Sequence, residues 1–176
     1  MTRMAVLIDE GYFSAITRKF FNKARVDFLK FSDLLCQGCF RVLTYYYTCM
    51  PYQSPTPTLE ESKRYANKDR FISALRKLER FEVRLGRLVK RDNGFRQKGV
   101  DVQFALDLSN LCNTHMIDKA VIVAGDSDFV PAVKDANEKG VITQNVFHHA
   151  EFSYHLRDVC QESKLITKSM IDLCIF

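Results

Sequence analysis

Four aspartates are of a type and spacing that could do chemistry together. Asp9 directly follows the apolar run Met4-Ala5-Val6-Leu7-Ile8. Asp126 and Asp128 follow a second such run, within Ala124-Gly125-Asp126-Ser127-Asp128-Phe129. Asp101 lies in Lys98-Gly99-Val100-Asp101-Val102, a glycine turn that runs into a helical pattern. Crowded carboxylates repel, and each is driven toward protonation. A hard divalent cation relieves the repulsion, and Mg²⁺ takes carboxylate oxygens and water while leaving room for a substrate phosphate. One or two such ions can polarise a phosphodiester, activate a bound water and stabilise the leaving oxygen. Each aspartate also has a plainer reading as a helix N-cap, Asp128 for the helix that follows it and Asp101 for the one it opens. Asp107, six residues beyond Asp101 on the same helical pattern, points well away from it and ranks below the four.

Whether the four meet depends on the elements that carry them. Short β-branched runs alternate with longer helical patterns. Met4–Ile8, Val42–Tyr47, Val83–Val89, Ala120–Ala124 and Val141–Phe147 read as strands. Residues 12–24, 59–79, 101–113 and 129–138 read as helices, with Tyr65, Phe71, Ile72, Leu75 and Leu78 on the buried side of the second. Three of the four prolines, Pro51, Pro55 and Pro57, mark a stiff irregular loop. Such alternation predicts a mostly parallel sheet covered on both faces, a three-layer α/β/α sandwich. In these sheets ligands bind beyond the carboxyl ends of the strands, where Asp9, Asp126 and Asp128 fall. The sequence beyond the fifth strand is weakly patterned.

Charge is unevenly distributed. The net charge of the 176 residues is +5, but residues 61–98 hold 13 Lys and Arg against 5 Asp and Glu. That segment carries +8 and the remainder −3, which points to an anionic partner. Its last cations, Lys90, Arg91, Arg96 and Lys98, run straight into Asp101. This is the order expected of a nucleic-acid strand led by Lys and Arg toward a metal site. Gly99 holds Lys98 near Asp101 and makes it the best candidate for a phosphate contact. Phe95 and Tyr52, read as loop residues, are candidate base-stacking groups with an equal reading as packed side chains. The Tyr45-Tyr46-Tyr47 run reads as strand core. His148 and His149 read as a loop pair near the same edge.

Three blocks carry a family resemblance: Ala5-Val-Leu-Ile-Asp-Glu-Gly-Tyr12, Gln97-Lys-Gly-Val-Asp-Val102 and Val121-Ile-Val-Ala-Gly-Asp-Ser-Asp-Phe-Val-Pro131. Together they resemble the signature of the NYN domain, especially its LabA-like branch within the PIN-like nuclease superfamily. The resemblance implies a Rossmann-like fold in one domain, with a motif-bearing core over about 4–150 and a helical extension over about 151–176. It also implies Mg²⁺ or Mn²⁺ held by Asp9, Asp101, Asp126 and Asp128, and metal-dependent RNA cleavage. An endoribonuclease acting on single-stranded RNA is therefore expected. Many members have Asn three places after the first Asp. Here that place holds Tyr12, which offers only a phenol oxygen.

Two other functions compete. A catalytically weak module binding RNA or protein fits the same fold, and Tyr12 favours it. A haloacid-dehalogenase-type phosphatase is suggested by Gly125-Asp126-Ser127-Asp128. That chemistry needs a second Asp two residues after Asp9, where Gly11 stands. The first apolar run is too short for a secretory signal, and no run approaches 18 apolar residues, so a cytoplasmic protein is expected. The six cysteines are expected to be reduced thiols. Cys36-Gln-Gly-Cys39 lacks the second ligand pair a zinc site needs and reads as a helix end with two buried thiols. The apolar tail Ile171–Phe176 is expected to contact its own core or a second subunit.

Overall fold

Met4, Val6 and Ile8 face one side of their strand and Ala5 and Leu7 the other, and all five are buried. A strand apolar on both faces must lie inside a sheet covered by helices on each side. The computed structural model describes residues 1–176 and has this arrangement. Seven strands, β1 (Arg3–Asp9), β2 (Phe40–Cys49), β3 (Phe81–Arg91), β4 (Gly94–Lys98), β5 (Lys119–Val123), β6 (Ile142–Phe147) and β7 (Glu162–Leu165), form one sheet in the order β4-β3-β2-β1-β5-β6-β7. Every neighbouring pair is parallel except β3 and β4, which form an antiparallel hairpin.

One apolar layer joins Val6, Tyr46 and Val121 to α1 (Glu10–Phe20), α2 (Phe28–Leu35), α3 (Leu59–Leu75) and α7 (Lys168–Asp172). The other joins Leu7, Tyr47 and Ile122 to α4 (Val100–Asn113), α5 (Val130–Glu138) and α6 (Tyr154–Val159). Each large side chain fully buried in these layers contributes roughly 1.5–3 kcal/mol. The three consecutive tyrosines are all buried, as strand core. From β1 the chain first builds outward through β2 and β3, then returns to place β5 on the other side of β1. The order therefore reverses between β1 and β5, and a crevice opens at their carboxyl ends.

Several boundaries differ from the sequence reading, for local reasons. α1 stops at Phe20 because Asn22 and Lys23 take positive φ. α3 stops at Leu75, short of 79, and Arg80 again has positive φ. Tyr65 lies on the exposed side of α3, contrary to expectation. Phe95 is on strand β4 and not on a loop. The Asn93-Gly94 step, with Gly94 at φ 117°, is a hairpin signal that polar flanks obscured. α2 has an apolar face that went unread ahead of Cys36. The stretch after residue 150 is not only helical, because β7 pairs with β6 and extends the sheet. The tail docks in part: Ile171 and Cys174 are buried, while Leu173 and Phe176 are exposed. No helix is long and apolar enough to cross a membrane.

Candidate functional site

Asp9 ends β1 and caps α1. Its Oδ1 accepts from the backbone N–H of Gly11 at 3.0 Å and Tyr12 at 3.4 Å, which fixes the carboxylate at the mouth of the crevice. Asp126 follows β5 on the other side of that crevice. It caps the single 3₁₀ turn Ser127–Phe129, with Oδ1 accepting from Asp128 N–H at 2.9 Å. Asp101 occupies the first turn of α4 and caps nothing. The N-cap there is Gly99, whose φ of 89° suits a residue without Cβ. The capping alternative thus holds for Asp9 and Asp126 and fails for Asp101 and Asp128.

The carboxylates affect one another's protonation. Burial pushes Asp9 up to about 6 against the pull of its two N–H donors, and the charges of Glu10 and Asp126 add to the rise. Asp101 is raised by burial first and then by Asp126 and Asp128, with Arg96 opposing. Two distant chain segments therefore bring negative charge within reach of Asp126. They do not close a cage, since no three His, Cys, Asp or Glu side chains are grouped tightly enough to enclose a metal ion. The donor set fits an open site better. Mg²⁺ commonly binds through one or two carboxylates plus water and substrate phosphate, and Asp9 and Asp126 each use only Oδ1 within the protein.

Tyr12 is not free to enter such a site. Its hydroxyl donates to the Glu151 carbonyl at 2.5 Å and accepts from the His148 N–H at 2.9 Å. Burial pushes the phenol up to about 12. The ring covers Gly125, where an added Cβ would lie 2.4 Å from Cε2. Tyr12 therefore ties the loop after β6 to α1 through its hydroxyl, and its ring packs over Gly125 beside Asp126. Asp107 is also occupied. Arg84 grips it through two bonds of 3.0 Å and the Tyr47 hydroxyl donates a third, so it neither joins the site nor faces solvent unpaired. His148 is buried and stacked on Phe20 at 4.0 Å, and burial lowers its pKa, which makes it a packed neutral ring.

The basic segment divides in two. Lys68, Arg80 and Arg84 have acidic partners. Lys90, Arg91, Arg96 and Lys98 are exposed and make no ion pair. Hairpin register places Arg87 opposite Lys98 and Val89 opposite Arg96, so Arg87, Arg91, Arg96 and Lys98 share one face. Like charges directly opposite destabilise a bare hairpin and favour an anion on that face. Arg91, Arg96, Lys98, Gly99 and Asp101 line a cleft of 320 Å³ there. Lys90 is on the other face, 5.9 Å from the Tyr52 ring, and Tyr52 packs on Phe95 at 4.8 Å.

Two residues near the site had no role of their own in the sequence reading. Glu10 is held by Ser14, Thr48 and Lys68 beside Asp9. Gln97 reaches across from β4, and its amide lies 3.8 Å from where a Gly11 Cβ would be. Neither has a spacing signal; Gln97 is placed only by the hairpin. The cysteines are all free. Cys36 is buried, with its thiol pushed up to about 12, while Cys39 is only half-buried.

No curated protein matches the chain by sequence. Among solved structures, a crystal structure of a protein of unknown function from Vibrio parahaemolyticus RIMD 2210633 is similar in fold. The TM-score is 0.73 at 20% identity, over 99% of this chain and 96% of that one. The family model for the NYN domain matches residues 3–166 and so takes in β1, the basic segment and all four aspartates. The chain belongs to the NYN domain family.

Proposed function

We propose that the protein is a Mg²⁺- or Mn²⁺-dependent endoribonuclease that hydrolyses phosphodiester bonds in single-stranded RNA. The observation that carries this reading is the convergence of Asp9 and Asp101 on Asp126 at the β1/β5 crevice, each with its carboxyl pKa raised by burial and by the Asp126 charge, beside a hairpin face of unpaired Arg and Lys. Family membership supports nuclease chemistry in general, and the Lys98-Gly99-Val100-Asp101 and Gly125–Pro131 blocks resemble the LabA-like branch. When bound, a divalent ion would supply positive charge to the phosphate and lower the pKa of a water.

Asp9 and Asp126 would hold the ion from the two sides of the crevice, with Asp101 and Asp128 completing the acidic wall. Their caps fix the first two before any ligand arrives, which limits reorganisation on binding. Lys98, Arg96 and Arg91 would fix the phosphates, and the Tyr12–Gly125 contact would hold the Asp126 loop in place. A cytoplasmic location and a protein partner or second copy are compatible with this reading and add nothing to its chemistry.

The test is a labelled single-stranded RNA incubated with Mn²⁺. Cutting that stops with EDTA and is lost in Asp126→Asn supports the reading; cutting that survives both sinks it. A binding module without turnover is the second reading, favoured by the occupied Tyr12 hydroxyl and the open arrangement of the acids. Tight RNA binding with no cleavage under any divalent metal would establish it instead.

A further inference from the structure

A second cleft lies across β4 from the cationic face. It has a volume of about 480 Å³, toward the lower end of the roughly 300–1,000 Å³ found for small-molecule sites. Arg64, Asn67 and Lys68, on one face of α3, form one wall, and Pro51, Leu88 and Gln97 form much of the rest. No carboxylate lines it. Two threads tie the cleft to the acidic edge. Lys68 pairs at 3.4 Å with Glu10, the neighbour of Asp9, and the Gln97 amide stands beside Gly11 at the start of α1.

We propose that this cleft receives one unpaired base of the RNA strand whose phosphates lie on the hairpin's cationic face. The inference rests on the nuclease reading for the identity of the strand, and on the cleft's own chemistry for the base. Pro51 and Leu88 offer apolar surface to the faces of a ring. Asn67 and Gln97 each carry an amide donor and acceptor, which is the chemistry of a base edge. Arg70 occupies Asn67 Oδ1 at 2.6 Å and leaves its NH₂ to donate, whereas the Gln97 side-chain amide, beside Gly11, makes no hydrogen bond within the protein. Arg64, which lines the cleft and makes no ion pair, adds a positive charge suited to a phosphate.

Geometry favours a single strand. β4 is the edge of the sheet, so a chain can cross it with phosphates toward Arg91, Arg96 and Lys98 and one base turned over the edge beside Gln97. Within a duplex that base edge is already paired. Phe95 lies on the same hairpin face as Gln97 and, stacked on Tyr52, is half exposed next to the cleft.

Titration calorimetry on the full chain tests the proposal, with EDTA present so that metal coordination plays no part. The probes are the four nucleoside 5′-monophosphates and ribose 5-phosphate, which has the phosphate and sugar without a base. At least one nucleotide is expected to bind tenfold or more tighter than ribose 5-phosphate. The double variant Asn67→Ala/Gln97→Ala, altered only at exposed positions, should lose fivefold or more of that affinity with its melting temperature unchanged. Ribose 5-phosphate binding as tightly as every nucleotide would overturn the proposal, as would a double variant of undiminished affinity. The two readings fail separately. Nucleotide binding by a chain that never cuts RNA upholds the cleft and sinks the nuclease. Metal-dependent cutting without base-dependent binding sinks the cleft alone.

Discussion

Asp9, Asp101 and Asp126 come from three distant segments of chain and meet only because the sheet reverses its order between β1 and β5. Arg91, Arg96 and Lys98 sit a few residues apart on a single hairpin. Asp9 and Asp126 are held by their helix caps, with the Tyr12 ring packed over Gly125 beside Asp126, and the pKa values of Asp9 and Asp101 are raised. The hairpin cations are exposed, unpaired and held only by one antiparallel ladder. Nearer the core, Arg84 of the same basic segment is neutralised by Asp107. The contrast separates two tasks. Fixed geometry is kept for the groups that would act on a bond, and adaptable charge is left for a partner whose backbone varies in path.

The largest effect expected to sharpen this contrast is at Asp126. Asn keeps the oxygen that caps the 3₁₀ turn, so Asp126→Asn should fold normally. Cleavage should fall at least 100-fold, about 2.7 kcal/mol of transition-state stabilisation. RNA binding should change far less. Equal losses of binding and cleavage would break the division of tasks. Next in size is the triple change Arg91→Ala/Arg96→Ala/Lys98→Ala. Each phosphate contact on a single strand contributes about 0.7 to the slope of log affinity against log salt. The triple variant should therefore lower that slope by about 2 in a fluorescence-anisotropy titration. Lys77→Ala, in the basic segment but off the hairpin, should leave it unchanged.

These regions also differ in how legible they were in the sequence. The alternation of apolar runs specified the parallel sheet and put Asp9 and Asp126 at its carboxyl edge, because burial on both faces leaves a plain hydrophobic signature. The hairpin was hidden because Gly94–Lys98 is exposed throughout, so no burial pattern marked β4. Hence Phe95 read as a loop residue and Gln97, though inside a motif block, had no role of its own. β7 was hidden for the same reason, being a short edge strand with little buried surface. Pairings formed by tertiary contact, such as Tyr12 with Glu151 and Asp107 with Arg84, leave no local trace.

Gly125→Ala probes the acidic side directly. The new Cβ would meet the Tyr12 ring at 2.4 Å, so the ring must move and its two hydroxyl bonds must weaken. Overpacking of this kind costs about 1–3 kcal/mol. Urea unfolding should show that loss, and any cleavage activity should fall with it. An unchanged midpoint would mean that the loop yields freely and that Tyr12 does not fix Asp126.

The smallest effect turns on the cost of holding Asp9 ionised. Its pKa is about 6 in the folded protein, raised chiefly by burial, against about 4 for an ordinary carboxylate. A raised carboxylate favours the folded state below the unfolded value, and that advantage is lost as pH rises through the folded value. Without metal, the charge at pH 7.5 therefore opposes folding by roughly 1–3 kcal/mol, at 1.36 kcal/mol per pKa unit. Asn caps a helix as well as Asp does and carries no charge. Asp9→Asn measured in EDTA should accordingly raise the melting temperature by a few degrees at pH 7.5, at about 2–4 °C per kcal/mol for a chain of this size. At pH 4, where wild-type Asp9 is protonated in the fold, the gain should nearly vanish. A gain that is the same at both pH values would show that burial and neighbouring charge do not oppose the ionised carboxylate. The case for a cation between Asp9 and Asp126 would then lose its electrostatic basis, while the cationic hairpin would be untouched.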